Sequence, residues 1–283
     1  MKHILFIISC LFATHSLTGQ TKAYVIYNSK GKKVSYEKTL EYVEKKDIVL
    51  FGEFHNNPIS HWLQYELTED LEKKRNLILG AEMFEADNQD ALNLYLNDSI
   101  NQEELDTLAR LWPNYKTDYA PLVNFAKDSV IPFIATNIPR RFASMVYKKG
   151  FSALDSLNEE EKEWVATLPI LYDSTLSRYV NILQMMGKHG SPKLIKAQAS
   201  KDATMAHFIY KNYVPGSLFL HYNGAYHSDY HEGILWYLKN LNPKLKYSTI
   251  TTVSQKDVNK LLEENKGIAD YIICVDENMT KTH

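Results

Sequence analysis

The sequence predicts an α/β fold in which a mostly parallel central sheet is flanked by helices. Short, continuously apolar runs such as 47–52 and 77–81 are typical of strands buried on both faces of a parallel sheet. Amphipathic helical segments alternate with these runs along the chain, which is the pattern of an α/β domain. The segment from about 140 to 213 contains no convincing strand, so it predicts a helical insertion.

The individual elements are predicted from turn signals, start signals and apolar periodicity. Residues 23–27 and 33–36 flank a turn that contains Gly31, which indicates a β-hairpin. Pro58 indicates the start of a helix, and Pro132 stands at the start of a strand, where a missing N–H is tolerated. The strands that follow the hairpin are predicted at 47–52, 77–81, 131–135, 217–222, 247–253 and 271–275. The helices are predicted at 58–74, 87–96, 102–111, 121–128 and 254–265.

Residues 1–20 are predicted to form a secretory signal peptide. A short basic start at Lys2 and His3 precedes an apolar run, 4–13, which is followed by small residues. That run is shorter than the ~20 residues that a membrane-spanning helix needs. We therefore expect an exported protein of the periplasm or cell envelope. A lipid anchor at Cys10 is the alternative, since a loose lipoprotein box ends at this cysteine.

The remaining residues, 21–283, are predicted to form a single globular domain. The chain has 283 residues, of which 45% are hydrophobic and 23% charged, and this composition excludes a disordered or fibrous protein. Lysine and arginine total 32 against 34 acidic residues, so the net charge of -2 provides no basic field for a nucleic acid. Cys274 is the one cysteine outside the predicted signal, which excludes a disulfide within the domain.

Polar side chains follow four of the predicted strands, at the point where each strand ends. They are Glu53 and His55 after the first buried strand, Glu82 after the second, Asn137 and Arg140 after the third, and His227 after the fourth. In open parallel sheets, the loops at the carboxyl ends of the strands line the ligand crevice. The sequence therefore predicts that these side chains meet in one crevice.

The same motif, Gly-x-x-His, follows two separate strands, as Gly52…His55 and Gly224…His227. The glycine lets the backbone turn sharply or approach a ligand closely, and a histidine three residues later can point back into the crevice. Two imidazoles together with Glu53 and Glu82 would form a mixed nitrogen and oxygen site suited to Zn²⁺, Mn²⁺ or Fe²⁺. His55, His227 and Glu53 are therefore the candidate metal ligands.

Acid–base catalysis is a second interpretation of the same crevice. Glu82 or His55 could act as a general base on a water molecule without any metal. In a metal-dependent hydrolase, His55 and His227 would hold the metal while Glu82 activates the water. The candidate catalytic residues are therefore Glu82, His55 and His227.

Three further residues are candidates for binding a ligand. Arg140 suits a carboxylate or phosphate, because its guanidinium can bind such groups through two parallel hydrogen bonds. Asn137 belongs to the same strand end, and His61 lies one turn into the helix that begins at Pro58. A purely structural alternative remains for Glu53, since an acid just after a strand can cap the following helix.

Five short segments of the sequence carry a family resemblance. They are Gly52-Glu53-Phe54-His55-Asn56-Asn57-Pro58 with His61 and Gln64; Glu82-Met83-Phe84 with Gln89; Ala135-Thr136-Asn137-Ile138-Pro139-Arg140; Gln198, Asp202 and Met205-Ala206; and Gly224-Ala225-Tyr226-His227. In this combination and order, over about residues 47–240, the sequence resembles the ChaN-like haem-binding proteins. That family is related to the Tiki and TraB proteins.

The resemblance implies an exported haem-binding protein associated with haem or iron uptake. It also implies an α/β domain with a helical part, a homodimer that binds haem at its interface, and an uptake receptor in the outer membrane as partner. A tyrosine is expected to ligate the haem iron, which is chemically reasonable because phenolate is a known axial ligand of haem. Tyr172 and Tyr179, in the helical insertion, are the candidates.

The wider superfamily implies a second function. Tiki-like relatives use paired Gly-x-x-His motifs with a glutamate as a metal-dependent protease site, and His55, His227 and Glu82 match that set. The sequence is also similar to erythromycin-esterase-like hydrolases, which share a Gly-Glu-x-His opening and work through a histidine base. We therefore expect a haem-binding protein, with a metal-dependent hydrolase, a peptidase, as the alternative.

Overall fold

The computed structural model describes residues 22–187 and 190–283, so the predicted signal peptide and Cys10 lie outside the described residues. Within them, an eight-stranded sheet forms the centre of the fold. Its strands are β1 (Tyr24–Asn28), β2 (Lys33–Val34), β3 (Ile48–Glu53), β4 (Leu77–Glu85), β5 (Phe133–Asn137), β6 (Leu218–Gly224), β7 (Tyr247–Gln255) and β8 (Tyr271–Asp276). Their order across the sheet is β2-β1-β8-β7-β3-β6-β4-β5. Strand β1 pairs antiparallel with β2 and β8, and the other neighbours pair parallel, which confirms the predicted fold class.

Helices cover both faces of this sheet. They are α1 (Tyr36–Val43), α2 (Pro58–Glu72), α3 (Gln89–Leu96), α4 (Gln102–Leu108), α5 (Ala120–Asp128), α6 (Arg140–Lys149), α7 (Glu159–Lys162), α8 (Ser177–Met186), α9 (Pro192–Asn212) and α10 (Ile234–Leu241). Alternate residues of β3 enter opposite cores, because successive side chains point to opposite faces of a strand. Val49 and Phe51 pack with α2 and α5, whereas Ile48 and Leu50 pack with α6, α9 and α10. No helix in the described residues is long and apolar enough to cross a membrane.

The predicted helical insertion is present as α6 to α9, and the described part of segment 140–213 contains no strand. The longest of these helices, α9, begins where Ser191 accepts a hydrogen bond from the Leu194 N–H and Pro192 takes the first turn. Its buried face packs against α6, α10 and β5. Because α9 packs in this way, Asp202 lies next to the sheet, and its side chain is fully buried.

One predicted helix is absent from the structure, and one predicted strand is clearly longer than predicted. The segment 254–265 is not a helix: β7 continues to Gln255, and only a short 3₁₀ turn, Glu263–Asn265, follows. The Gln255 side chain bonds backbone groups of the loop and so replaces the hydrogen bonds of a helix, donating to the Lys260 carbonyl and accepting from the Leu262 N–H. Strand β4 also continues to Glu85, four residues beyond the predicted end, so Glu82 lies within the strand.

The two edges of the sheet differ in how they end. Strand β2 is only two residues long. At the other edge, the Gln89 side chain lies alongside β5, where it accepts a hydrogen bond from the Ala135 N–H at 2.7 Å and donates one to the Phe133 carbonyl at 3.0 Å. A side chain therefore satisfies backbone groups that a neighbouring strand would otherwise bind.

Candidate functional site

A cavity of about 1460 Å³ opens at the carboxyl ends of β3, β4, β5 and β6. The predicted site residues that line it are Glu53, His55, Glu82, Asn137, Arg140 and His227. The structure therefore brings together the polar groups that the sequence places at four strand ends. Three other predicted residues, His61, Tyr172 and Tyr179, do not line the cavity.

Glu53 and His55 form an open pair at one side of the cavity. Glu53 is buried, and its Oε1 accepts hydrogen bonds from His55 Nδ1 at 2.9 Å and from the Tyr119 hydroxyl at 2.8 Å. Its other oxygen accepts from Gln64 Nε2 at 2.5 Å. The His55 side chain is 38% exposed, and its Nε2 has no hydrogen-bond partner among the described residues. Burial lowers the pKa of His55, but the hydrogen bond to Glu53 and the charge of Glu82 outweigh it, so the pKa is raised.

His61 contacts both Glu53 and the backbone of His55 from the protein interior. It is buried, with Nδ1 3.6 Å from Glu53 Oε2 and Nε2 3.5 Å from Asp118 Oδ2. Its Nε2 also lies 3.1 Å from the backbone oxygen of His55. His61 therefore contacts the loop that holds His55 without reaching the cavity.

His227 lies in a closed, buried cluster. Its Nδ1 bonds Asp202, and its Nε2 lies 3.1 Å from Glu82 Oε1. The other Glu82 oxygen accepts the Gly224 N–H at 2.7 Å, and Asp202 accepts the Tyr179 hydroxyl at 2.7 Å. Both ring nitrogens of His227 therefore face carboxylates, and every carboxylate oxygen in the cluster has a protein partner.

The electrostatics of this cluster favour the charged forms of His227 and Glu82. Burial lowers the pKa of His227, but the adjacent Glu82 and Asp202 carboxylates outweigh burial and raise the pKa to about 10. Burial raises the pKa of Glu82, but the His227 imidazolium outweighs it and holds the pKa well below its usual range. Because both Glu82 oxygens already have protein partners, whereas His55 Nε2 has none among the described residues, the geometry favours His55 over Glu82 as a base.

The two glycines of the repeated motif allow the two loops to interlock. Glu53 pairs with Gly224 across the parallel β3–β6 ladder. A Cβ on Gly224 would lie 2.9 Å from the His55 ring, and a Cβ on Gly52 would lie 3.0 Å from the Ala225 Cα. Each motif therefore needs glycine because the other motif passes so close to it.

Asn137 provides a buried acceptor that faces no donor in the described part of the chain. Its Nδ2 donates to the Glu82 backbone oxygen at 3.0 Å. Its Oδ1 is buried and has no hydrogen-bond partner there. Buried polar atoms are nearly always satisfied, so this unpaired oxygen is an exception within the described part of the chain.

Three cations at the cavity form no salt bridge with the described residues: Arg140, at the start of α6, Lys201, on α9, and Lys281, after β8. Two other arginines of the lining, Arg110 and Arg141, both pair with Asp87. Arg140, Lys201 and Lys281 therefore leave the cavity with positive charge available for an anionic ligand.

The tyrosine that lines the cavity is Tyr226, and it is neither of the two tyrosines predicted in the insertion. The Tyr179 hydroxyl is buried against Asp202, and Tyr172 stacks on the Tyr179 ring with centroids 6.4 Å apart. Tyr226 lines the cavity, is 37% exposed, and directs its hydroxyl to Met185 Sδ at 3.3 Å. The sequence signal for Tyr226 is its position inside the second Gly-x-x-His motif.

The predicted divalent metal finds no support in the structure. Across residues 22–187 and 190–283, no three histidine, cysteine or acidic side chains form a group that could hold a metal ion. The proposed ligand set of His55, His227 and Glu53 fails for a physical reason. Glu53 and His227 already direct their ligand atoms to protein partners.

Residues 39–238 match the sequence profile of a family described as haem-binding uptake, Tiki superfamily, ChaN. The match covers more than half of the chain and includes the carboxyl ends of β3, β4, β5 and β6 at the cavity. The chain belongs to this ChaN family. The resemblance predicted from the sequence is confirmed.

Solved structures show the same fold. The ChaN-family chain superposes on Campylobacter jejuni ChaN, described as binding haem cofacially, with a TM-score of 0.66 and 20% identity over 89% of this chain and 97% of that one. A mutant of the erythromycin esterase EreC in its open conformation gives a TM-score of 0.53 and 11% identity, covering 91% and 98% of the two chains.

A curated plant relative is much longer. The chloroplastic protein RETICULATA-RELATED 5 of Arabidopsis thaliana is 26% identical over 223 residues, which cover 71% of this chain and 29% of the plant protein. The ChaN-family chain thus spans under a third of the length of this relative.

Asp202 is the main component of the ChaN-family site that residue spacing does not reveal. It reaches His227 from α9, in the helical insertion, across 25 residues of sequence. Tyr119 is likewise not revealed by residue spacing, because it bonds Glu53 from 66 residues away. No local pattern marks either residue, although Asp202 does belong to a segment that carries the family resemblance.

Proposed function

We propose that this ChaN-family protein binds haem in the cavity at the strand ends. The observation that carries the proposal is the composition of the cavity wall, which combines the Tyr226 phenol with the cations Arg140 and Lys201. Tyrosinate is an established axial ligand of haem iron. Arginine and lysine suit the two carboxylate side chains at the edge of the macrocycle.

The rest of the cavity suits a flat, largely apolar molecule. Its volume of about 1460 Å³ exceeds the ~300–1,000 Å³ of ordinary small-molecule pockets, which leaves room for a porphyrin. Apolar side chains form much of its wall: Phe54, Leu111, Trp112, Pro113, Ile138, Ile182, Ala225 and Met279. Bound haem would supply an iron that a tyrosinate can ligate. Tyr226 would hold that iron, while Arg140 and Lys201 hold the carboxylates.

The proposed biological role is haem or iron uptake by an exported protein. The basic and apolar pattern of residues 1–20 supports export, and a lipid anchor at Cys10 would place the protein at a membrane surface. The resemblance to ChaN-like proteins supports a homodimer and an uptake receptor as partner. Fractionation of cells that express the full chain tests export directly, and a cytoplasmic product would contradict it.

A haemin titration followed by absorption tests the binding proposal. Wild type should give a saturable shift of the Soret band. Tyr226→Phe removes the proposed iron ligand, so it should displace the Soret band and weaken binding. Tyr179→Phe is the matched control, since its hydroxyl bonds Asp202 outside the cavity. That variant should keep the wild-type Soret position, although its stability falls.

Two results would overturn this assignment. Absence of a saturable Soret shift in wild type would remove haem as the ligand. A Soret band altered by Tyr179→Phe and unchanged by Tyr226→Phe would move the iron ligand to the insertion.

A hydrolase remains the second candidate function, and the Glu53–His55 pair is the observation that favours it. Glu53 fixes His55 Nδ1, which leaves Nε2 available as a base for a water molecule. In the mechanism that this pair supports, His55 acts as the base and Glu53 orients its ring. Turnover of p-nitrophenyl acetate that disappears in His55→Gln would support it. Equal turnover in both proteins would exclude this mechanism.

A further inference from the structure

The segment after β8, residues 278–283, runs along one wall of the cavity, and we call it the strap. A turn at its start is closed by the Met279 N–H, which donates to the Asp276 carbonyl at 3.1 Å. Met279, Lys281 and His283 then line the cavity together with His55. The strap therefore adds an apolar, a cationic and a titratable side chain to a site otherwise built from strand ends.

The far end of the strap is pinned beside His55. The Thr282 N–H donates to the Asn56 carbonyl at 3.0 Å, and Asn56 directly follows His55. The Thr282 hydroxyl donates to Asp118 Oδ2 at 2.8 Å. Asp118 is buried and also accepts from Asn114 Nδ2 at 2.7 Å, the same amide that donates to the His55 carbonyl at 2.9 Å. The pin and the His55 loop thus share one hydrogen-bond network.

Little else holds the strap down. Beyond its initial turn, its hydrogen bonds to the rest of the described chain are the two made by Thr282. His283 adds a contact of 3.8 Å between its Nδ1 and Asp118 Oδ2, with a side chain that is half exposed. Asn278, Thr280 and Lys281 are exposed. Segments with few buried contacts open locally at low free-energy cost, so the strap can detach without unfolding the domain.

We propose that the strap is a gate of the cavity and that Thr282 is its latch. With Thr282 bonded to Asn56 and Asp118, the strap covers the side of the cavity next to His55 and contacts a bound ligand through Met279, Lys281 and His283. With the latch open, a ligand enters or leaves on that side. The apolar and cationic side chains of the strap suit a flat, anionic molecule. The identity of that molecule as haem rests on the proposed function, whereas the gate itself does not.

A pair of equivalent substitutions tests the latch. Thr282→Val removes the hydroxyl that bonds Asp118 and keeps the side-chain shape, while Thr280→Val makes the same change at an exposed strap position. The first readout needs no ligand: the rate at which diethyl pyrocarbonate labels His55, followed by mass spectrometry. Loss of one hydrogen bond should speed the labelling in Thr282→Val by about 2- to 10-fold, and Thr280→Val should match wild type. Equal rates in the two variants would overturn the gate.

The second readout is the kinetics of haemin binding. Thr282→Val should raise both the association and the dissociation rate, because an open gate passes the ligand in both directions. A chain that ends at residue 277 should also bind more weakly, since the contacts of Met279, Lys281 and His283 are lost. Unchanged rates in both would contradict the gate. If wild type binds no haemin, the haem proposal fails, and the labelling of His55 alone decides the gate.

Discussion

The two Gly-x-x-His motifs have the same spacing, follow neighbouring parallel strands and end in opposite environments. His55 is 38% exposed, and one of its ring nitrogens has no partner in the described chain. His227 is buried, and both of its ring nitrogens face carboxylates. The motif fixes where each histidine lies. The environment of each histidine is set by residues distant in the sequence, since Asp202 bonds the second nitrogen of His227, whereas among the described residues no second acid bonds His55.

This difference separates a group available to a ligand from a group that holds the site together. The open nitrogen of His55 can bond a molecule in the cavity. The imidazolium of His227 instead joins Glu82 on the sheet to Asp202 on the helical insertion. One side of the cavity, at His55, is therefore available to a ligand, and the other side, at His227, holds the fold together. A substitution can alter either side separately.

Removal of His227 should give the largest effect. His227→Ala leaves Glu82 and Asp202 buried without their shared cation, and breaking a buried ion pair in this way costs about 3–5 kcal/mol. The free energy of unfolding, measured by urea denaturation, should fall by that amount. A loss below about 1 kcal/mol would show that the cluster does not carry the charges assigned to it.

The glycines provide the next largest contrast. In Gly52→Ala, the new Cβ meets the Ala225 backbone at 3.0 Å, so the strand itself must shift, at about 1–3 kcal/mol. In Gly224→Ala, the Cβ would lie 2.9 Å from the His55 ring and 3.4 Å from Glu82 Oε2, and side-chain atoms give way more easily than backbone. Denaturation should show the larger loss for Gly52→Ala, and NMR should show a displaced His55 resonance in Gly224→Ala. The reverse order of stability would contradict the interlocked loops.

The pH dependence of stability should follow His227. Its pKa is about 10 in the folded protein against an ordinary value of 6.5, so the folded state binds this proton more tightly. The resulting stabilisation is complete below about pH 6.5 and is lost as the pH rises toward 10. Unfolding free energies from pH 6.5 to 9 should therefore decline in wild type, by up to about 1.4 kcal/mol per pH unit. In His227→Gln, the unfolding free energy should change little over this pH range. If it declined as steeply as in wild type, the slope would belong to other groups.

The smallest effect on stability is expected from His55. His55→Ala removes a half-exposed partner of Glu53, whose carboxylate keeps the donors Gln64 and Tyr119. The cost should be about 1 kcal/mol or less, as for partly exposed ion pairs. Urea denaturation of His55→Ala and His227→Ala under the same conditions compares the two losses of unfolding free energy. Similar losses in the two variants would contradict the difference between the two histidines.

The fold was predictable from the sequence because its main signals are local. Apolar runs mark strands buried on both faces, and Pro58 marks the start of α2. The predicted helix at 254–265 failed because the Gln255 side chain organises that loop, and a bond between a side chain and distant backbone groups has no periodic signature.

The sequence predicted where the site lies, but it did not predict the charge states or hydrogen-bond partners of the site residues. The strand ends identify the residues that meet in the cavity, but their charge state depends on partners that arrive from elsewhere in the chain. Asp202 and Tyr119 are examples, since each bonds its partner across a long stretch of sequence. Tyr226 stands within a motif that the sequence displays, whereas the predicted tyrosines Tyr172 and Tyr179 pack against each other in the insertion. Packing, rather than residue type, separates these tyrosines.

The Gln89 side chain beside β5 has a consequence for how the protein behaves in a crowded compartment. An uncovered edge strand is a template on which another chain can add a strand, and such pairing starts aggregation. Gln89 occupies the Ala135 N–H and the Phe133 carbonyl, and β2 at the opposite edge is too short to serve as a template. Both edges of the described sheet are therefore poor templates for a foreign strand, so neighbouring molecules have little tendency to join edge to edge.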